Sequence, residues 1–296
     1  MIFKLNSIIL FSVFTFLLSL VVYPLYIRFL VWIKAWKTIR DDDVMGQKAS
    51  IFQSLHSHKS GTPTMGGGLF LFVVLFMIWI SFLLQHFDII NNNLFSREET
   101  YLPLFGFFSM GLVGLIDDIL NIKGVGRVKG LSALSKTIGM VLFAAFISYR
   151  FYYKLHVDRI LLWPGIDKVF LWLWFFPLSF FSTLFITHAI NITDGLDGLA
   201  WWMMTIVLST LWVVTFVSGQ YISTTLIGVV IAVLVAFLRF NINPARLFMG
   251  DSGAFSLWWL LSCLFWLNIK IGIVIPFLVV FLIFIIELLS DRKSVV

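Results

Sequence analysis

Five carboxylates stand at or near the ends of long apolar runs in this chain. Asp117 and Asp118 close the apolar stretch 102–116, in the run Gly114-Leu-Ile-Asp-Asp118. Asp194 and Asp197 lie in Asn191-Ile-Thr-Asp-Gly-Leu-Asp-Gly198, and Asp251 follows Phe248-Met-Gly. A charged side chain at the centre of a bilayer costs roughly 2.5–3.5 kcal/mol on insertion scales, so acids in such a setting are functional candidates by default. The simplest task for several carboxylates at one membrane face is to hold a divalent cation against a phosphorylated substrate, because hard cations select oxygen ligands.

Groups suited to the other half of that chemistry lie nearby in the sequence. His58-Lys-Ser-Gly-Thr-Pro-Thr-Met-Gly-Gly-Gly68 precedes an apolar run. Its glycines let backbone N–H groups approach an anion, and Lys59 adds a point charge for phosphate. The same run also reads as a plain turn with a Gly-rich end for helix packing. Lys123, Arg127, Lys129 and Lys136 follow the Asp117–Asp118 pair, either as phosphate clamps or as the ordinary basic flank of a span. Asp194 and Asp197 share a face if their segment is helical. Asp251 or Ser252 also makes a plausible helix N-cap. Phe248, two residues before Gly250, is an aromatic for stacking on a base or for interface packing, and His188 reads as a hydrogen-bonded structural residue.

These residues need a membrane scaffold. The 296 residues are 60% hydrophobic and 12% charged, with a mean hydropathy of +1.00. Soluble domains carry about 25% charge, so the chain is expected to be an all-α, polytopic transmembrane bundle in a single domain, 1–296. Candidate spans of about 20 residues are 7–33, 66–87, 101–120, 134–153, 169–190, 197–217, 221–240, 252–269 and 271–290, about nine in all. The loops alternate sides. The side holding loops 34–65, 121–133, 191–196 and 241–251 and the tail after 290 carries 14 of the 21 Lys and Arg residues. That excess makes it cytoplasmic and puts the N-terminus outside. Every acidic cluster then falls on the cytoplasmic face. The net charge of +6 therefore reflects topology and anionic ligands, with no nucleic acid implied. Cys263, the single cysteine, lies in an apolar run and reads as packing.

In order and spacing, the blocks Lys59-Ser-Gly-Thr-Pro-Thr-Met-Gly-Gly67, Gly114-Leu-Ile-Asp-Asp118, Lys129-Gly-Leu with Lys136, Asn191 to Ala200, and Phe248-Met-Gly-Asp-Ser-Gly253 resemble one family over about residues 30–290. It is the polyprenyl-phosphate N-acetylhexosamine-1-phosphate transferases, and the Gly-Thr-Pro-Thr-Met-Gly-Gly block is similar to the branch whose donor is UDP-N-acetylmuramoyl-pentapeptide. The resemblance implies attack of undecaprenyl phosphate on that donor's β-phosphate, release of UMP, Mg²⁺ as cofactor, and a bacterial inner membrane setting in the first membrane step of peptidoglycan synthesis. It also admits a homodimer. Carried over, Asp117, Asp118 and Asp251 are catalytic, with Asp251 and Asp194 as metal ligands. Lys59, Thr64, Lys129, Lys136, Asn191, Asp194, Gly195, Leu196, Asp197, Asn241 and Phe248 are substrate-binding. Asn241 and Phe248 are expected on the uracil.

The sequence departs from the family pattern at Asn121, His188, Met140 and Asn243, where lysine, asparagine, glutamine and histidine are usual. The resemblance also implies a triple-histidine motif and a tenth span after Glu287. Neither is in the sequence, so C-terminal truncation is expected. Three rival readings stay open: a related transferase using UDP-N-acetylglucosamine, an inactive membrane binding protein, and a transporter with midplane charges.

Overall fold

The computed structural model describes residues 2–36, 61–96, 98–125, 130–154, 159–160, 169–170, 174–193, 197–271 and 282. Among the described residues eight α-helices carry the fold: α1 (Ile2–Trp32), α2 (Gly66–His86), α3 (Glu98–Ile122), α4 (Ala133–Tyr149), α5 (Phe175–Thr193), α6 (Leu199–Val217), α7 (Tyr221–Asn241) and α8 (Gly250–Ile271). Among the described residues, seven of them are long and apolar enough to cross a membrane. The chain is a multi-pass helical bundle. The expected span 271–290 lies, apart from Ile271 and Leu282, outside the described residues.

One stretch departs from expectation. The run expected as a helix from 169 instead opens with a two-residue strand, β2 (Val169–Phe170), paired antiparallel to β1 (Arg159–Ile160). Val and Phe favour extended backbone. α5 starts only at Phe175, with Pro177 in its first turn, where a missing N–H costs nothing. α4 is better signposted: Ser132 caps it, its hydroxyl accepting from the Ser135 N–H at 3.1 Å.

α8 is the central post. Its span is wholly buried, and it packs most extensively against α3. Two of its polar side chains bond back within the helix, Ser256 donating to the Gly253 carbonyl and Asn268 to that of Leu264. α1 lies at the edge with Leu10, Leu17, Val21 and Leu25 exposed. Such an apolar outer face suits contact with lipid tails, which are as apolar as leucine.

Two crossings bring α8 to its neighbours at backbone distance. A methyl group on Gly67 of α2 would run into the backbone of Gly253, and one on Gly114 of α3 would run into that of Asp251 and Ser252. Only glycine permits this approach. The first turn of α8 is therefore clasped between α2 and α3, and all three helices meet at one end of the bundle.

Candidate active site

Asp117 and Asp118 occupy consecutive positions near the C-terminal end of α3, both 2% exposed, yet they face different partners. Asp118 turns to α8. Its Oδ1 accepts from the Asp251 N–H and its Oδ2 from the Ser252 N–H, both at 3.0 Å. These are among the first N–H groups of α8, which have no partner within the helix. A carboxylate on a helix N-terminus also complements the helix dipole. Asp118 thus pins the end of one helix to another.

Asp117 turns to α4. Its Oδ1 accepts from the Leu131 N–H at 2.6 Å, and its Oδ2 from the Lys136 ammonium at 2.7 Å. Lys136, in the first turn of α4, also donates to Asp251 Oδ2. One ammonium therefore joins carboxylates from α3 and α8. The side chains of Lys136 and Asp251 are 25% and 20% exposed, so the cluster opens on one side. The centre of the Phe255 ring stands 5.8 Å from the Lys136 Nζ.

A second assembly lies beside it and uses backbone. The segment Pro63–Gly67 runs along Phe248–Met249. Phe248 N–H donates to the Pro63 carbonyl, Gly66 N–H to that of Phe248, and Gly67 N–H to that of Met249, at 2.8–2.9 Å. Met65 between them has a φ of 78°, a left-handed conformation that is uncommon for a residue with a β-carbon. Its carbonyl is held by the Tyr26 hydroxyl at 2.9 Å. Asn241 ties in the next loop: Oδ1 accepts from the Gly198 N–H at 3.0 Å, and Nδ2 donates to the Leu247 carbonyl at 2.8 Å. Asp197 Oδ2 receives the Ala245 N–H at 3.4 Å and Asn243 Nδ2 at 3.5 Å.

With this geometry in place, comparison with known proteins is decisive. The family model of glycosyl transferase family 4 matches residues 100–271, from the first turn of α3 to the end of α8. The chain belongs to this family. It is similar to proteins named phospho-N-acetylmuramoyl-pentapeptide-transferase in several bacteria. The relative from Clostridium novyi (strain NT) is 32% identical over 253 residues, 85% of this chain and 71% of that protein. The one from Clostridium acetobutylicum is 31% identical over 288 residues, covering 96% and 83%. That from Bacillus pumilus (strain SAFR-032) is 32% identical over 257 residues, covering 86% and 73%.

Within this family 4 chain the site residues expected from sequence divide into groups. Asp117, Asp118, Lys136 and Asp251 come together. Asp197, Asn241 and Phe248 sit on the adjoining loops, Phe248 half-buried. Lys59, Lys129, Asp194, Gly195 and Leu196 lie outside the described residues, as do the side chains of Asn191 and His188. Two of these residues are buried. Asn241 has both ends of its carboxamide on backbone groups, so it serves as an internal staple. Thr64 is likewise buried, and its N–H donates to the Ala35 carbonyl at 2.8 Å. The glycines of the Gly-Thr-Pro-Thr-Met-Gly-Gly block belong with them. The N–H groups of Gly66 and Gly67 are spent on Phe248 and Met249, in line with the packing reading of that block and not with an anion cradle.

Two contributors were not legible beforehand. The Leu131 N–H on Asp117 has a partial signal, the Lys129-Gly-Leu131 block. Tyr26 has none, since 39 residues separate it from Met65. Of the departures from the family pattern, Asn121 and Met140 are buried, while Asn243 reaches Asp197.

Two carboxylates, the oxygen donors a hard divalent cation takes, converge here, and among the described residues no third His, Cys, Asp or Glu joins them. Asp117 and Asp251 aim hard oxygen atoms from two helices at one point, where Lys136 supplies positive charge, and the cluster is partly open for further ligands.

Proposed function

We propose that the chain is a Mg²⁺-dependent glycosyl-1-phosphate transferase that moves phospho-N-acetylmuramoyl-pentapeptide from its UDP carrier to undecaprenyl phosphate. The observation that carries this reading is the convergence of Asp117 and Asp251 on Lys136 at one end of a membrane bundle. The names of the relatives supply the substrate class. The basic excess in the loops of that end supports a cytoplasmic orientation in a bacterial inner membrane.

In this reaction an oxygen of the lipid phosphate forms a bond to the donor's β-phosphorus. The bond from that phosphorus to the oxygen bridging to the α-phosphate breaks, and UMP leaves with the electron pair. Such transfer asks mainly for positioning and charge neutralisation. Asp251 and Asp117 would hold Mg²⁺, with Asp194 as the further ligand expected from sequence. Bound there, the ion would neutralise charge on the diphosphate. Asp117, lying beside Lys136, is placed to take the proton of a singly protonated lipid phosphate. Lys136 would offer its ammonium to the reacting phosphates. Asp118 acts by holding the first turn of α8, and so Asp251, in place. Phe248, on the loop stapled by Asn241, offers its ring face to the nucleoside base, and Asp197 lies beside it.

The test is transfer to undecaprenyl phosphate by the purified chain in detergent, with and without Mg²⁺, from UDP-N-acetylmuramoyl-pentapeptide and in parallel from UDP-N-acetylglucosamine. Mg²⁺-dependent product from the muramoyl donor is expected. Product from the other sugar alone moves the protein to that donor, and no product from either overturns the transferase reading.

A further inference from the structure

Two carboxylates brought close together must share a proton or take a counter-charge. Asp117 comes from α3 and Asp251 from α8, and both direct an Oδ2 at the Lys136 Nζ. Two of the three ammonium donors are spent there. The stem of Lys136 rises from the first turn of α4 and is a quarter exposed, and its Nζ lies 5.8 Å from the centre of the Phe255 ring. The ammonium thus stands at the point where a cation bound by both carboxylates would stand. The two cannot be there together, because like charges at such separation repel strongly in a partly buried site.

We infer that Lys136 is a resident counter-ion that keeps the divalent-cation position closed at rest, exchanges with the incoming cation, and on release presents its ammonium to the diphosphate. The inference rests on the reading of Asp117 and Asp251 as cation ligands and deepens it. A flexible four-carbon stem with a point charge is suited to such a swing, whereas a planar guanidinium would stay on the carboxylates as a bidentate partner. The exchange gives the site an order of events. Alone, the cation must displace a paired ammonium. Arriving with a diphosphate, it brings the anion that receives the ammonium, so cation and nucleotide bind more tightly together than apart.

The test uses Mn²⁺ as the probe, with free ion followed by electron paramagnetic resonance, on the full chain in detergent. Lys136→Met is expected to bind Mn²⁺ roughly tenfold more tightly than wild type or better, a free-energy difference of about 1.4 kcal/mol. Lys136→Arg should bind no more tightly than wild type. Equal Mn²⁺ affinity in wild type and Lys136→Met overturns the exchange. A second measurement needs no variant. The amine of Lys136 is acylated in wild-type protein with and without saturating Mn²⁺, and its modification is read by mass spectrometry. Labelling should rise several-fold with the ion; unchanged or reduced labelling overturns the exchange. Asp251→Asn separates the two levels. If it abolishes Mn²⁺ binding while Lys136→Met matches wild type, the exchange fails and the site reading stands. If Asp251→Asn binds Mn²⁺ like wild type, both fail.

Discussion

The ionic cluster and the backbone seam lie side by side at one end of the bundle and are built on opposite terms. Asp117, Lys136 and Asp251 meet through side chains and carry charge, with Lys136 and Asp251 partly open. Pro63–Gly67, Phe248–Met249 and the Asn241 staple meet through backbone groups, are neutral, and are largely buried. The first can change partners without moving a helix. The second cannot, because each N–H it releases would be left unpaired away from water. On the proposed function, one part does the chemistry and the other fixes where the chemistry takes place. Asp118 joins them: a charged group by type, it is used as a backbone anchor.

The sharpest way to break this comparison is to set Gly67→Ala against Asp251→Asn. A methyl at Gly67 must fit where the Gly253 backbone lies. Overpacking of that kind costs about 1–3 kcal/mol, sometimes more, and here neither backbone can yield without parting α2 from α8. Gly67→Ala should lower the thermal unfolding temperature clearly and lose transfer with it. Asp251→Asn keeps size and fold. It should leave the unfolding temperature near that of wild type while lowering turnover by roughly a hundredfold or more. Two variants that fall together in stability would erase the distinction between the regions.

How far the sequence alone carried follows the same division. Apolar run length located the helices, because spanning a bilayer demands it, and three of the acids at their ends, Asp117, Asp118 and Asp251, are brought together by the fold. The start of α5 was misplaced because Val169 and Phe170 are as apolar as a helix but pair as a strand. The separate duties of Asp117 and Asp118 could not be seen. Neighbouring residues on a helix point about 100° apart, so adjacency in sequence sends them to different partners. Which of the two meets α4 and which meets α8 depends on packing. Asn241 and Thr64 were assigned to ligands on resemblance alone. Their backbone partners, Gly198 and Ala35, are 43 and 29 residues away, and no spacing rule announces such contacts.

Asn241 gives the intermediate effect. Asn241→Ala leaves the Gly198 N–H without its acceptor and the Leu247 carbonyl without that donor, each buried. Orphaning such groups costs about 1–3 kcal/mol apiece, less where solvent or a second bond steps in; the Leu247 carbonyl gains nothing of the kind from its own N–H, which serves Phe240. Gly198 adjoins Asp197 and Leu247 adjoins Phe248, so the variant loosens two loops assigned to the nucleotide. A raised KM for the UDP donor is expected, with a smaller change in kcat. An unchanged KM would place the staple outside nucleotide binding and narrow the seam to the Pro63–Gly67 contact.

The smallest effect sharpens the comparison within the seam. Tyr26→Phe removes the hydroxyl that donates to the Met65 carbonyl. That carbonyl still accepts the Gly68 N–H at 3.0 Å, so it is not orphaned and the loss should be about 0.5–1.5 kcal/mol. Met65 holds a left-handed backbone with a side chain in place, and such residues persist only where the surroundings over-determine them. If the Tyr26 bond is one of the constraints, Met65→Gly in the Tyr26→Phe background should recover most of the lost unfolding temperature, because glycine adopts that φ without strain. If Met65→Gly recovers nothing, Gly66 and Gly67 hold the turn unaided, and Tyr26 is a packing residue that happens to lie within reach of it.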